Sequence, residues 1–301
     1  MLKISVLTST YNRSNLLENL YSSLIKNIYN NIKIEWLIMD DGSTDNTEYV
    51  VKQFPTKNQL EIKYFKQENQ GKMKAINNLI PNSTGDLIIE CDSDDYFIEN
   101  VFQIIEEEYN KNKGNSKLYA LCFLKYDQNG NNMGKDLDEE ETTMFDLYFK
   151  KEEDGEKSLV YFSNIRKNYK YKLEKNEKFI TEARLHHEMD FKYKIKCINK
   201  PIMICEYQEE GYTKNIKKQF LENPYGYFEY FKEILMRKDF KGITFKKRIY
   251  AIKHYILFSY LTKQKINLKE VTKIKDKILI VLLYLPGIII SEKKFKNNKQ
   301  I

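Results

Sequence analysis

A chain of 301 residues, 42% of them apolar and 31% charged, is long enough for one large or two ordinary globular domains; disordered, collagen-like and low-complexity classes are excluded. The net charge of +7 hides a split: residues 1–213 hold 29 Lys and Arg against 36 Asp and Glu, whereas residues 214–301 hold 21 against 7. Four cysteines without a CxxC pair exclude a zinc ribbon and indicate no disulfide framework, and three histidines leave any metal chemistry to carboxylates.

The first apolar run, Ile4-Ser5-Val6-Leu7, follows Met1 almost at once and reads as a buried strand. No signal-peptide pattern precedes it, so a cytoplasmic location is expected. Leu16, Leu17, Leu20, Leu24 and Ile25 then recur at helical spacing, with Ser14 placed to cap the helix. Strands are expected at 35–39, 62–65, 87–89 and 118–126, and helices at 45–53, 71–80 and 98–113. From 130 to 155 the pattern blurs, and Asp138-Glu139-Glu140-Glu141 reads as a solvated loop. Residues 158–213 mix short apolar runs with loops. Helical spacing returns at 227–236, 245–261 and 268–285.

Strands alternating with helices predict an α/β fold around a mostly parallel sheet covered on both faces. Ligands bind such sheets beyond the carboxyl ends of the strands. Three polar clusters come directly after strands: Thr10-Tyr11-Asn12-Arg13, Asp40-Asp41 and Asp92-Ser93-Asp94-Asp95. They are expected to converge on one rim. No glycine-rich phosphate loop of either common type is present. Carboxylates would repel a bare diphosphate, so an acidic rim suits one only if Mg²⁺ or Mn²⁺ sits between them.

These segments, in this order, resemble the family 2 glycosyltransferases, inverting enzymes of the GT-A fold. Ser9-Thr10-Tyr11-Asn12-Arg13 is joined by Asp40-Asp41-Gly42-Ser43-Thr44-Asp45, Glu68-Asn69-Gln70-Gly71-Lys72 and Asp92-Ser93-Asp94-Asp95. Further matches are Glu177-Lys178-Phe179-Ile180-Thr181-Glu182 and Glu206-Tyr207 with Gly211-Tyr212-Thr213-Lys214-Asn215. The resemblance covers residues 1–215 as a catalytic domain, with a nucleotide-sugar half at about 1–126 and an acceptor half at about 127–215. Residues 216–301 form a basic helical extension outside it.

The resemblance implies transfer of a sugar from a nucleotide-sugar, expected to be UDP-linked, to a glycan or lipid-linked glycan acceptor in cell-surface polysaccharide synthesis. Thr8, Thr10, Tyr11 and Arg13 would wall the nucleotide site. Asp41 would accept the uracil N3–H, with Asp40 as its substitute. Lys72 would neutralise the diphosphate and Asp92 would sit near the ribose. Asp94 would touch the nucleotide and, with Asp95, hold Mn²⁺ or Mg²⁺. Glu182 would be the general base, with Glu188 and Asp190 as rivals. His186 and His187 are read as partly buried structural residues. A metal-dependent nucleotidyltransferase and a catalytically silent nucleotide-sugar-binding protein are the alternatives. The first lacks its glycine-rich loop, and the intact acidic residues oppose the second.

Between 278 and 290 the chain is apolar, with Lys273, Lys275 and Lys277 before it and Lys293, Lys294 and Lys296 after it. Thirteen residues are too few to span a bilayer. A helix packed on the catalytic domain or on a partner subunit is one expectation. A peripheral contact with an anionic membrane at the inner face of the cell membrane is the other. No nucleic-acid recognition motif accompanies the basic region, so nucleic acid is not an expected partner.

Overall fold

The computed structural model describes residues 1–206, 208, 215–238 and 242–295. The elements run β1 (Leu2–Thr10), α1 (Ser14–Lys26), β2 (Ile32–Asp40), α2 (Thr47–Gln53), β3 (Leu60–Lys66), α3 (Lys72–Leu79) and β4 (Leu87–Glu90). The middle of the chain supplies β5 (Tyr96–Phe97), α4 (Val101–Asn112), β6 (Leu118–Asp127), β7 (Glu141–Thr142), α5 (Met144–Phe149) and β8 (Lys157–Phe162). Then come α6 (Ser163–Arg166), α7 (Glu182–Met189), β9 (Lys194–Cys205), α8 (Ile216–Glu222), α9 (Pro224–Met236), α10 (Phe245–Thr262) and α11 (Ile274–Phe295).

Among the described residues nine strands form one sheet, ordered β3-β2-β1-β4-β8-β6-β9-β5, with β7 also paired to β9. The expected parallel arrangement holds for β3, β2, β1 and β4. Beyond β4 the sheet is mixed. β8 runs antiparallel to both β4 and β6, while β6 and β9 are parallel. This is the mixed α/β sheet of a GT-A fold with a helical C-terminal region.

Period-two alternation sends side chains to both faces of the sheet, and apolar residues on both faces give each side a hydrophobic core. Ile4 and Val6 of β1 pack with Trp36 and Ile38 of β2 in one core, with α1 and α4 over them. Leu7, Leu37 and Met39 face the other core with α3. That second core continues through α7 into Phe228, Phe231, Ile252 and Phe258 of α9 and α10, so the basic region shares the catalytic part's hydrophobic interior. Glu177 fastens the joint. Its carboxylate accepts the Tyr225 and Gly226 N–H groups at 2.6 and 2.7 Å, satisfying donors that the first turn of α9 leaves open.

Two local expectations change. Ser14 is the first residue of α1 and makes no side-chain cap; its N–H donates instead to Asp45 at 3.2 Å. Asp45 also accepts the Thr47 N–H at the start of α2, so one carboxylate serves the N-termini of both helices. The expected 268–285 helix is displaced to Ile274–Phe295. The matches at Tyr207 and at Gly211 to Lys214, like Lys296, lie outside the described residues.

Candidate active site

Parallel pairing sets Thr10 of β1 beside Asp40 of β2, and Leu7 beside Glu90 of β4. The loops after these three strands therefore emerge together, as the order of polar clusters predicts. Asn12 takes a left-handed backbone (φ 52°), which Asn tolerates better than most residues. Its N–H donates to Ser43 Oγ at 2.9 Å, and its Oδ1 accepts the Thr44 N–H at 2.8 Å. Arg13 reaches across to Asp94, with Nη1 3.0 Å from Oδ2. The first and third clusters are thus joined by an ion pair, and the first and second by hydrogen bonds.

Asp41 is only 3% exposed and is bound first to its own chain. Oδ1 accepts from Gln67 Nε2 at 2.7 Å and from the Gln70 N–H at 2.9 Å; Oδ2 accepts the Gly71 N–H at 2.7 Å. A carboxylate has about four acceptor positions, so about one remains for a ligand. Asp40 is also engaged, by the Ser43 N–H and the Tyr64 hydroxyl. The consequence of Asp41's three bonds is a fixed loop leading into α3. Gly71 holds φ +90° there, and a Cβ would lie 2.1 Å from the Lys178 carbonyl oxygen. Only glycine fits such a backbone at such an approach.

That turn launches Lys72, whose ammonium joins two segments of the site. Lys72 Nζ lies 2.6 Å from Asp92 Oδ1 and 2.8 Å from Glu182 Oε1. The three side chains stand in a cleft of about 340 Å³, with Asp95, Lys125, Tyr148 and Phe179 also in its wall. Burial would lower the Lys72 pKa, but the two carboxylates outweigh it and raise it well above its ordinary value. Lys72 in turn holds Glu182 below the usual glutamate value, against burial and against Asp92. Asp92, which burial alone would raise, is likewise lowered by Lys72 and Lys125. Glu182 lines this cleft with its side chain 44% exposed, so it remains open to solvent. As the first residue of α7 it also faces the positive end of the helix.

The two rivals are elsewhere. Glu188 pairs with Lys172 on the surface at 2.8 Å. Asp190 is buried and accepts the Met144 and Phe145 N–H groups at the start of α5, together with the Tyr119 hydroxyl. Burial raises its carboxyl to about 7. His186 and His187 are buried, as expected. His186 Nε2 is 2.8 Å from the Tyr161 hydroxyl, and burial lowers its pKa to about 4. His187 packs among Phe145, Phe149 and Tyr230.

Thr8 does not join the site. It is 0% exposed, on the same face of β1 as Val6, and its Oγ1 accepts the Trp36 indole N–H at 3.0 Å. Thr10, by contrast, is buried at the strand end with a hydroxyl that has no hydrogen-bond partner among the described residues. Tyr11 is exposed at the rim. A larger hollow of about 700 Å³ between α7 and α9 contains none of the predicted nucleotide or metal residues.

The acidic turn fits a divalent cation only in part. Among the described residues no three His, Cys, Asp or Glu side chains converge as a complete ligand set. A Mg²⁺-type ion does not need one, since one or two carboxylates plus substrate phosphates suffice. Asp94 suits that role: burial and the neighbouring Asp92 raise its carboxyl to about 6 despite Arg13, so added positive charge would relieve it. Asp95 is tied to Lys125 at 2.9 Å and would have to leave it. Lys125 is a site residue that no sequence motif marks. It lies on β6, and its partners Asp95 and Glu156 come from two other segments. Glu90 is unmarked for the same reason; it holds the buried Arg166 at 2.7 Å and accepts the Tyr171 hydroxyl.

Comparison with known proteins bears on the family and the fold. The chain is 26% identical over 300 residues to a Campylobacter jejuni GalNAc(5)-diNAcBac-PP-undecaprenol beta-1,3-glucosyltransferase, covering 96% of this chain and 92% of that protein. It is 33% identical over 131 residues to an uncharacterised Mycoplasma genitalium glycosyltransferase, but that alignment spans only 44% of the relative. Staphylococcus aureus TarS 1–349, solved with UDP-GlcNAc, superposes with a TM-score of 0.60 at 15% identity over 99% of this chain and 92% of that one. A Pyrobaculum calidifontis mannosyltransferase solved with GDP-Man and Mn²⁺ gives 0.57 at 12% identity, over 99% and 88%. At such identities the likeness is one of fold. The family model described as glycosyl transferase family 2 matches residues 5–189, which include most of β1, the acidic turn and α7, and on that ground the chain belongs to this family of glycosyltransferases.

Proposed function

We propose that this glycosyltransferase moves a sugar from a UDP-sugar to a hydroxyl of a glycan or lipid-linked glycan, with inversion, in the assembly of a surface polysaccharide. The observation that carries the reading is Lys72, which brings Glu182 and Asp92 together in one cleft at the carboxyl edge of the sheet. The Campylobacter relative is named for an undecaprenol-linked glycan, and the staphylococcal neighbour was solved with UDP-GlcNAc. Those names support the acceptor and donor classes proposed here.

In this reading the acceptor oxygen attacks the anomeric carbon from the face opposite the nucleotide. The bond from that carbon to the phosphate oxygen breaks, and UDP departs with the electron pair. Glu182, kept ionised by Lys72, takes the acceptor's proton. Lys72 offers its charge to the diphosphate. Thr10, Tyr11, Arg13 and Asp92 shape the nucleoside side, and Asp41 uses its remaining acceptor position for the uracil N3–H. Asp94, with Asp95 if it leaves Lys125, would hold Mn²⁺ or Mg²⁺, which when bound stabilises charge on the departing diphosphate.

The test is release of the nucleoside diphosphate from a panel of UDP-sugars and GDP-sugars by the purified chain, with Mn²⁺, with Mg²⁺ and with EDTA. Release from a UDP-sugar that EDTA abolishes and that Asp94→Asn severely weakens is expected. Release from GDP-sugars alone would remove the UDP assignment. Undiminished release in EDTA would remove the metal.

A further inference from the structure

Helix α11 presents a surface of a different kind. Ile280 is buried, and Gly287 meets Ile256 of α10 so closely that a Cβ would lie 2.9 Å from that side chain. Leu283 is partly buried in the same line, and Ser291 is buried one turn after Gly287. Positions 280, 283, 287 and 291 therefore make one packed stripe at helical spacing. On a water-facing helix the other positions would be polar. Here Ile278, Val281, Leu282, Leu285, Ile289 and Ile290 are exposed, Leu282 by 65% and Leu285 by 71%.

No charged residue stands between Lys277 and Glu292. Over roughly 20 Å of helix, at about 1.5 Å per residue, the outward face is thus hydrocarbon. Lys273, Lys275 and Lys277 border it at one end and Lys293 at the other. An apolar patch of this extent marks an interaction surface. Among the described residues no helix is long and apolar enough to cross a membrane. A second copy of the chain is a poor occupant, because residues 214–301 hold 21 basic against 7 acidic side chains and two such regions would repel.

We propose that α11 lies in the plane of an anionic lipid surface, with its outward apolar face among the upper acyl chains and its bordering lysines among the headgroup phosphates. The packed stripe on α10 fixes the helix to the enzyme, so the whole chain is held at the bilayer.

The experiment is co-sedimentation of the full chain with vesicles of phosphatidylcholine alone and of phosphatidylcholine with an equal part of phosphatidylglycerol. Strong binding to the anionic vesicles and weak binding to the neutral ones is expected. Leu282→Asn and Leu285→Asn should each lower the partition on the order of tenfold, as hydrocarbon burial is lost. Lys275→Gln and Lys277→Gln should each lower it about fivefold, on anionic vesicles only. All four side chains lie outside the packed stripe, so the thermal midpoint should stay near wild type. Failure to bind either vesicle, or leucine variants that bind as wild type does, would overturn the proposal. So would a wild-type dimer in sedimentation velocity that the leucine variants convert to monomer, because the patch would then belong to a second copy. Equal binding to both vesicles would overturn the assignment to anionic lipid.

Discussion

Lys72 Nζ lies 2.8 Å from Glu182 Oε1, a contact that spans 110 residues of sequence. It places a lysine leaving a glycine turn against the first residue of α7. Lys72 therefore keeps Glu182 ionised, and its side chain is 44% exposed, so it is in the protonation state that the proposed base needs. Glu182→Gln keeps the side-chain size and the Lys72 contact but accepts no proton. Transfer should fall about 10²–10⁴-fold, while UDP affinity measured by calorimetry stays close to wild type. Glu188→Gln, on the surface with Lys172, should transfer at nearly the wild-type rate. The reverse pattern would remove Glu182 from the chemistry.

Asp41→Asn tests a residue with two duties. The amide has one acceptor oxygen where the carboxylate has two, so one of the Gln67, Gln70 and Gly71 donors faces an NH₂ group instead. An unpaired buried donor costs about 1–3 kcal/mol. UDP affinity should drop, and the urea midpoint should drop with it, because the loop that aims Lys72 loosens. Lost affinity with an unchanged midpoint would make Asp41 a nucleotide contact without a structural role.

Gly71→Ala acts on the same loop from the backbone side. The positive φ alone costs about 1–3 kcal/mol for a side-chain-bearing residue, and the new methyl would meet the Lys178 carbonyl. Lower stability and a loss of transfer are expected together, measured by urea unfolding and a transfer assay. Full activity in Gly71→Ala would mean that Lys178 moves away without consequence for the site.

Convergence of the three strand-end clusters was legible in the sequence because β1, β2 and β4 are parallel neighbours, so the loops leaving their carboxyl ends must share an edge. The two ends of the site were legible in different ways. Asp92 and Asp94 stand out locally, whereas Glu182 is one acidic residue among many and is marked only by the family resemblance. The residues that stayed hidden depend on pairings that no local pattern encodes. Lys125 meets Asp95 because β6 enters the sheet two strands from β4, with the antiparallel β8 between them. Thr8 looked like a rim residue by position, yet it lies two residues inside β1 and is buried there under the Trp36 indole. Asp45, not Ser14, caps α1 because the two loops meet in space.

His186 gives the fold a pH dependence with a defined sign. Its imidazole is held neutral down to about pH 4 by burial. In the unfolded chain it takes up a proton near pH 6.5. The unfolded state thus binds more protons between these values, and this residue's contribution to stability is lost as pH falls from about 6.5 toward 4. The full effect is roughly 3 kcal/mol. His186→Gln retains a partner for the Tyr161 hydroxyl and does not titrate. Urea midpoints at pH 7.5 and pH 5 should show wild type losing stability relative to His186→Gln; parallel changes would mean the ring is charged in the folded protein.

Lys72→Met separates the lysine's effect on the base from its effect on the nucleotide. Without the ammonium, Glu182 keeps burial and the neighbouring Asp92 carboxylate, both of which raise its pKa. A base must be ionised to work, so the acidic limb of the kcat profile reports its pKa in the substrate complex. With donor saturating, that limb should move to higher pH in Lys72→Met. KM for the donor should rise separately, because a charge facing the diphosphate has gone. Lys72→Arg keeps the charge and should leave the limb near its wild-type position even if the longer side chain raises KM. A Lys72→Met enzyme with a higher KM and an unmoved acidic limb would assign Lys72 to donor binding alone. In that case the 2.8 Å contact with Glu182 would persist only until the donor arrives, and the base would be tuned by whatever lies next to it in the ternary complex.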